Sequence, residues 1–194
     1  MNKRNFVVTA GLAGVFSATS GMAASRMARQ PALLTVSGAI DKPNRGPFDA
    51  VRDQMMGKHG VQFSKAHELD AAALQRLPSV SIRPMLEYDA QRHTLEGPLL
   101  ASVLDAAGVA PGRAVTLGLR AVDGYNAVLR LADALAYRMI VATHMDGRPL
   151  ALGGLGPQWA VYDADALPAF RDKPLKERFA ACPWGLYHID VQSA

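Results

Sequence analysis

The apolar residues between Leu95 and Leu131 change their spacing from that of a helix to that of a strand, and this change limits the possible folds. Gly97-Pro98 predicts a helix start, since proline has the preset φ of a first helical position. Gly108 fits the left-handed residue that ends a helix. The apolar stripe of this predicted helix comprises Leu99, Leu100, Val103, Leu104 and Ala107.

From residue 115 onward the apolar residues alternate, which predicts strands joined by tight turns. Val115–Leu119 and Ala127–Leu131 predict a hairpin around Asp123-Gly124. Further strands are predicted at Ala32–Ile40, Gln62–Leu69, Val80–Arg83, Arg138–Met145, Pro149–Leu152, Gln158–Tyr162 and Trp184–Val191. Asp70 predicts the cap of another helix, which ends before Pro78. Strands mixed with a few short helices predict an α+β fold with mixed, mostly antiparallel sheets.

The first 24 residues predict a signal peptide with cleavage near residues 23–24. Lys3 and Arg4 precede a mildly apolar stretch, Phe6–Phe16, which is too short and too rich in small residues for a membrane anchor. Lys3-Arg4-Asn5-Phe6 also resembles a twin-arginine signal with lysine in the first arginine position, so the export route stays open. We therefore expect a periplasmic protein with one domain over residues 25–194 and no membrane insertion after cleavage.

Charge and cysteine content exclude two classes of protein. The formal net charge of +4 includes Lys3 and Arg4, which leaves +2 for the mature chain. Acidic and basic residues are interspersed, without a basic run, so nucleic-acid binding is not expected. The chain has 1 cysteine, so no disulfide within the chain can support the fold.

Several short motifs occur in a specific order along the mature chain. They are Gly97–Leu100, Asp123–Tyr125, Met145–Leu150, the GPxWxVY pattern at Gly156–Tyr162 and the WxLxxIxV pattern at Trp184–Val191. This order resembles the small exported single-domain members of the oxidoreductase molybdopterin-binding (sulfite-oxidase-like) domain family. The resemblance implies the sulfite-oxidase-like molybdopterin-domain fold, and it suggests molybdopterin as a cofactor.

The chain departs from that family at the metal-binding position. Catalytic relatives coordinate molybdenum through a cysteine after the strand that corresponds to Val80–Ile82, whereas this chain continues with Arg83-Pro84-Met85. A soft thiolate is the ligand such a metal needs. Relatives also tend to have an arginine where this chain has Gln158, and basic residues where it has Asp163 and Asp165. Each departure argues against a bound molybdenum cofactor.

The resemblance gives a set of candidate cofactor-binding residues, namely Arg83, Arg120, Tyr125, Gly156 and Trp159. Arg83 and Arg120 are the candidate anion contacts because a guanidinium suits phosphate or carboxylate. The alternatives are a solvated arginine at either position and a core position for Trp159. Cys182 is a candidate metal ligand only if the fold brings it to the place of the missing cysteine; otherwise it is a half-buried apolar residue. The 5 histidines lack zinc-motif spacing, so no metal site is predicted.

Three hypotheses about function follow, and the sequence does not decide whether the protein is an enzyme. The first is a cofactor-free or altered-ligand module that binds a small anionic or pterin-like ligand, or a periplasmic protein. The second is a molybdopterin-dependent oxidoreductase whose metal is held without the usual thiolate or by Cys182. The third is a structural or interaction module that has no ligand.

Overall fold

A computed structural model describes residues 30–193 of the chain, so the predicted signal peptide lies outside the described residues. The strands are β1 (Ala32–Gly38), β2 (Ala66–Asp70), β3 (Ser79–Ile82), β4 (Leu95–Pro98), β5 (Val115–Ala121), β6 (Asn126–Arg130), β7 (Ile140–Ala142), β8 (His144–Met145), β9 (Arg148–Pro149), β10 (Trp159–Val161) and β11 (Leu186–Ser193). The α-helices are α1 (Gln54–Lys58), α2 (Ala71–Arg76), α3 (Leu100–Ala106) and α4 (Leu131–Ala136). None of these helices has the length and apolar content that crossing a membrane requires.

The strands form three sheets of unequal size. The largest has the order β2-β1-β11-β5-β6, in which β1 and β11 are parallel and every other pair is antiparallel. A four-stranded antiparallel sheet has the order β3-β4-β8-β9, and β10 pairs with β7. The predicted α+β fold with mixed, mostly antiparallel sheets and a few short helices is confirmed.

The core lies on one face of the large sheet. Leu34, Leu117 and Ile189 point to this face and are fully buried, as the alternation of apolar residues predicts. Helix α3 and the β7–β10 pair complete the same core, to which Trp159 and Tyr162 contribute the largest side chains. The alternate residues of the strands therefore point to the opposite face of the large sheet.

Local turn chemistry is confirmed, but several element boundaries are corrected. Strand β2 begins at Ala66 and not at Gln62, and the strand predicted over Pro149–Leu152 is limited to β9. Pro98 ends β4 and α3 begins at Leu100, because residues 95–98 pair with β3 instead of entering the helix. Leu131 begins α4 instead of ending a strand. The strand expected from Arg138 begins only at β7, since Arg138 adopts a left-handed φ of 50° just after α4.

Candidate ligand-binding site

A pocket of about 200 Å³ lies between the β5–β6 turn and the segment that precedes β11. We call it the aromatic pocket. It is lined by Glu87, Tyr88, Ala121, Asp123, Tyr125, Phe179, Ala180, Cys182, Pro183 and Trp184. The lining comes from three segments that are distant in sequence, so the pocket exists only in the folded chain.

The β5–β6 turn fixes one wall of the aromatic pocket. Gly124 takes a left-handed φ of 92°, which the tight turn requires, and Asp123 Oδ1 accepts the backbone N–H of Tyr125 at 2.9 Å. The Tyr125 hydroxyl donates to the carbonyl of Ala180 at 2.5 Å. This contact ties the turn to the opposite wall and holds the Tyr125 ring in place.

The segment after β3 supplies the second wall, with Glu87 and Tyr88. Asp165 anchors this segment, since its carboxylate accepts the backbone N–H of Met85 at 2.9 Å. The same carboxylate pairs with Arg92 at 3.0 Å and with Arg178 at 2.7 Å. Residues 179–184 supply the third wall, and Arg178 directly precedes them. Asp165 thus joins the segment after β3 to the segment that forms this third wall.

Buried groups lie at and beneath the floor of the aromatic pocket, with Cys182 in its lining and Trp159 below it. Trp159 is 1% exposed and its indole N–H donates to the Cys182 carbonyl at 2.9 Å. Cys182 is itself 5% exposed, and burial raises the pKa of its thiol to about 12, with the charge of Glu87 adding to the rise. Burial also raises the pKa of Tyr88. Both groups therefore stay protonated at neutral pH.

The charge of the aromatic pocket is negative. Glu87 and Asp123 are its ionisable carboxylates, and no lysine, arginine or histidine is present among the lining residues of the described chain. Asp123 is exposed and Glu87 is half-buried, so both carboxylates face a partly solvated space. Such a site repels anions and attracts cations.

The structure brings together only part of the predicted set of site residues. Tyr125 and Cys182 line the aromatic pocket, whereas Arg83, Gly156 and Trp159 do not. Arg83 is exposed beyond the end of β3, and Trp159 lies in the core beneath the pocket. Gly156 packs against the chain, since a Cβ at this position would lie 2.4 Å from the backbone of Leu150.

Arg120 points away from the aromatic pocket. It precedes the pocket residue Ala121 in β5, and successive side chains of a strand point to opposite faces. Its register partners are His188 in β11 and Asn126 in β6. Within residues 30–193, Arg120 Nε, His188 Nδ1 and Asn126 Oδ1 are buried without a hydrogen-bond partner. Burial lowers the pKa of His188 to about 4, and the charge of Arg120 lowers it further.

Gln158 has a structural role at the position where the family resemblance leads one to expect arginine. The side chain is fully buried. With the amide oriented so that its nitrogen faces the two nearby carbonyls, it donates to Leu33 at 3.3 Å and to Leu186 at 2.7 Å. It therefore links β10 to the two central strands β1 and β11. An arginine here would bury a charge in the core.

Of the residues that line the aromatic pocket, the sequence predicts only Tyr125 and Cys182 as site residues; those it misses include Glu87, Tyr88, Asp123 and Trp184. Asp123 was assigned only to a turn, and Trp184 only to the start of the last strand. The available signal was an aromatic residue beside turn residues, as in Glu87-Tyr88 before Asp89. Among residues 30–193, no group of three or more His, Cys, Asp or Glu side chains is arranged to hold a metal ion.

Comparisons with known proteins support the fold alone. No family model matches the chain, and no curated protein matches it. A crystal structure of the sulfane dehydrogenase SoxCD from Paracoccus pantotrophus is similar, with a TM-score of 0.54 and 12% identity. The match covers 83% of this chain but 38% of the SoxCD chain. The similarity shows a distant fold relationship to SoxCD.

Proposed function

We propose that this chain is an exported, cofactor-free relative of the oxidoreductase molybdopterin-binding domains and that it binds a small ligand in the aromatic pocket. One observation carries the proposal. The segment after β3, where the family resemblance places the metal-binding cysteine, contributes Glu87 and Tyr88 to a small acidic pocket. The fold relationship supplies the scaffold, and a shared fold does not fix the ligand.

The thiol chemistry does not fit a molybdenum centre. Cys182 is the only cysteine of the chain, and its thiol is buried beside Tyr162. A metal binds the thiolate, and the burial that raises the pKa of this thiol to about 12 opposes formation of the thiolate in the metal-free protein. Deprotonation would also place a negative charge next to Glu87, which already raises the pKa of the thiol.

The size and charge of the aromatic pocket do not fit a pterin cofactor either. Its volume of about 200 Å³ is below the roughly 300–1,000 Å³ of sites for drug-sized ligands and cofactors. Glu87 and Asp123 would repel the phosphate of such a cofactor. The two arginines predicted as anion contacts, Arg83 and Arg120, lie outside the pocket. The geometry thus favours a ligand smaller than a pterin and not anionic.

The competing function is a molybdopterin-dependent oxidoreductase, which the fold relationship to SoxCD favours. Elemental analysis for molybdenum, together with fluorescence of released and oxidised pterin, separates the two functions. We expect neither metal nor pterin in protein purified from the periplasm of its host. Stoichiometric molybdenum and pterin would refute the cofactor-free proposal, and their loss in a Cys182→Ser variant would identify Cys182 as the ligand.

The export part of the proposal has its own measurement. The intact mass of periplasmic protein should correspond to a chain that starts near residue 25, because cleavage is predicted near residues 23–24. Replacing Lys3-Arg4 with two glutamines should retain the uncleaved precursor in the cytoplasm. A full-length mass in the periplasmic fraction would contradict the predicted signal peptide.

A further inference from the structure

Within the proposed ligand-binding function, on which this inference rests, we propose that the aromatic pocket binds the quaternary ammonium group of a small organic cation. The ligand class is that of choline and related trimethylammonium solutes. The proposal rests on the residues that line the pocket, on their exposure and on their charge.

The exposed aromatic side chains of the described chain all converge on this pocket. Tyr88 is 56% exposed, Tyr125 is 50% exposed and Trp184 is 37% exposed, and all three line the pocket. Every other Phe, Tyr and Trp in residues 30–193 is at least half-buried. Exposed aromatic rings grouped around one concavity are the arrangement by which proteins recognise quaternary ammonium groups.

The Tyr125 ring is held in place before a ligand arrives, and the other two aromatic residues lie next to the buried Trp159. Two hydrogen bonds fix Tyr125, one from its hydroxyl to Ala180 and one from its backbone N–H to Asp123. The Tyr88 ring lies 6.5 Å from the buried Trp159 ring at an angle of 49°. Trp184 begins a segment whose backbone bridges to Trp159. Binding would therefore cost little further ordering of the Tyr125 side chain.

The charge of the pocket selects a cation. Glu87 and Asp123 lie at its walls without a basic residue among the described lining residues, so a cation gains both cation–π contacts and ionic attraction. A quaternary group also suits the available acceptors. The Ala180 carbonyl already accepts from Tyr125, and a quaternary nitrogen has no N–H group to satisfy.

The volume of the pocket sets the size of the ligand. About 200 Å³ corresponds to about seven water molecules at roughly 30 Å³ each. Such a space accommodates a trimethylammonium group with a short tail, whereas the complete molybdopterin cofactor, which adds a dithiolene side chain and a phosphate to the pterin, is larger. The ligand is therefore a small solute and not a large cofactor.

Three isosteric probes test the charge preference. Choline is the cation, dimethylbutanol is its uncharged isostere with carbon in place of nitrogen, and dimethylbutyrate is the anion. The chain has 2 tryptophans, so the indole N–H signals of Trp159 and Trp184 can be followed by NMR and assigned with a Trp184→Phe variant. Phosphate buffer is required, since Tris is itself an organic cation. We expect choline to shift the Trp184 signal and to bind at least about tenfold more tightly than either isostere.

Matched variants locate the contacts by calorimetry. Trp184→Leu and Tyr125→Leu should each weaken choline binding by roughly 5- to 30-fold, because each removes one aromatic face. Tyr125→Phe keeps that face and should stay within about threefold of the wild type. Asp123→Asn keeps the acceptor for the Tyr125 backbone but removes the charge, so it should weaken binding severalfold at low salt. Val128→Ala, at an exposed position of β6 outside the pocket, is the control and should change nothing.

The outcomes separate this inference from the proposed function. Dimethylbutanol binding as tightly as choline would refute the cation preference, as would tighter binding of dimethylbutyrate. The absence of any shift at about 0.1 M choline, near physiological ionic strength, would also refute it. In each case protein that is free of molybdenum and pterin would leave the cofactor-free proposal standing. Copurified molybdenum and pterin would refute that proposal instead, whatever the result with choline.

Discussion

Replacing Gly97 with alanine perturbs the point where β4 and β7 approach each other most closely. An ideal Cβ at Gly97 would lie 2.0 Å from the carbonyl oxygen of Val141 and 2.8 Å from Cα of Ala142. Ordinary van der Waals contact for a Cβ begins at 3.4 Å. Both obstructing atoms belong to the backbone, so no side-chain rotation can relieve the clash. The two strands must separate by about 1 Å or more to accommodate the methyl group.

The expected cost follows from the way both strands are held. Hydrogen bonds join β4 to β3 and β8, and β7 pairs with β10, so neither strand moves alone. Overpacking a rigid core costs about 1–3 kcal/mol, and a backbone clash belongs at the upper end. We expect Gly97→Ala to lower the free energy of unfolding by about 3 kcal/mol and the Tm by about 6–12 °C.

Urea denaturation of wild type and variant measures this loss. Gly112→Ala is the matched control, because a Cβ at Gly112 meets nothing within 4 Å and its φ is not left-handed. That control should stay within about 0.5 kcal/mol of the wild type. A Gly97→Ala variant that is equally close to the wild type would refute the close approach of β4 and β7.

Three further outcomes can be measured. Iodoacetamide should label Cys182 far more slowly in the folded protein than in urea, because burial raises the pKa of its thiol to about 12; equal rates would contradict its burial. The free energy of unfolding should fall by up to about 3 kcal/mol as pH drops from about 6.5 to about 4, because His188 gains a proton in the unfolded chain but stays neutral when buried. A His188→Gln variant should show a flatter dependence of this free energy on pH in the same window. An unchanged slope would count against the lowered pKa of His188. Asp165→Asn breaks two ion pairs with arginine and should lower the free energy of unfolding by about 1–3 kcal/mol in urea titrations. The control is Asp172→Asn, which breaks only an exposed ion pair with Arg171 and should cost about 0.5 kcal/mol or less. Equal losses would show that Asp165 is not an anchor.

Local backbone chemistry explains why the turns could be predicted from the sequence. Asp123-Gly124 and Asp146-Gly147 both form tight turns with glycine at a positive φ, and Gly108 takes a φ of 83° after α3. These conformations depend on residues that are adjacent in sequence. The parallel pairing of β1 with β11 depends on residues more than 150 positions apart, and no local pattern carried that information.

Helix α4 shows how a local pattern can be misinterpreted. Ala127, Leu129 and Leu131 alternate as a strand would, but Leu131, Ala134 and Leu135 also recur at helical spacing. Leu131 fits both patterns, and the structure places it as a buried residue at the start of α4. Packing against β5, β6 and α3 decides the outcome, and that packing is a property of the whole fold.

The candidate site was predictable only in part, because its residues come from three distant segments. Tyr125 and Cys182 were singled out and do line the aromatic pocket, but Tyr88 and Trp184 were not. The position of Arg120 could have been anticipated more closely. Since Leu117 and Leu119 point to the core, the alternation of β5 already places Arg120 on the other face.

Different residues determine the fold of this chain and the charge of its aromatic pocket. The chain and SoxCD share a backbone path over 83% of this chain at 12% identity. In this chain that path includes close backbone approaches, such as those at Gly97 and Gly156, where a side chain would clash. The charge of the aromatic pocket depends on two side chains, Glu87 and Asp123, at the end of a loop and in a turn. Exchanging both side chains for basic ones would leave the strands of the sheets in place but would reverse the sign of the ions that the pocket attracts. A scaffold whose fold is similar to that of SoxCD can therefore carry the proposed cation site without any rearrangement of its strands.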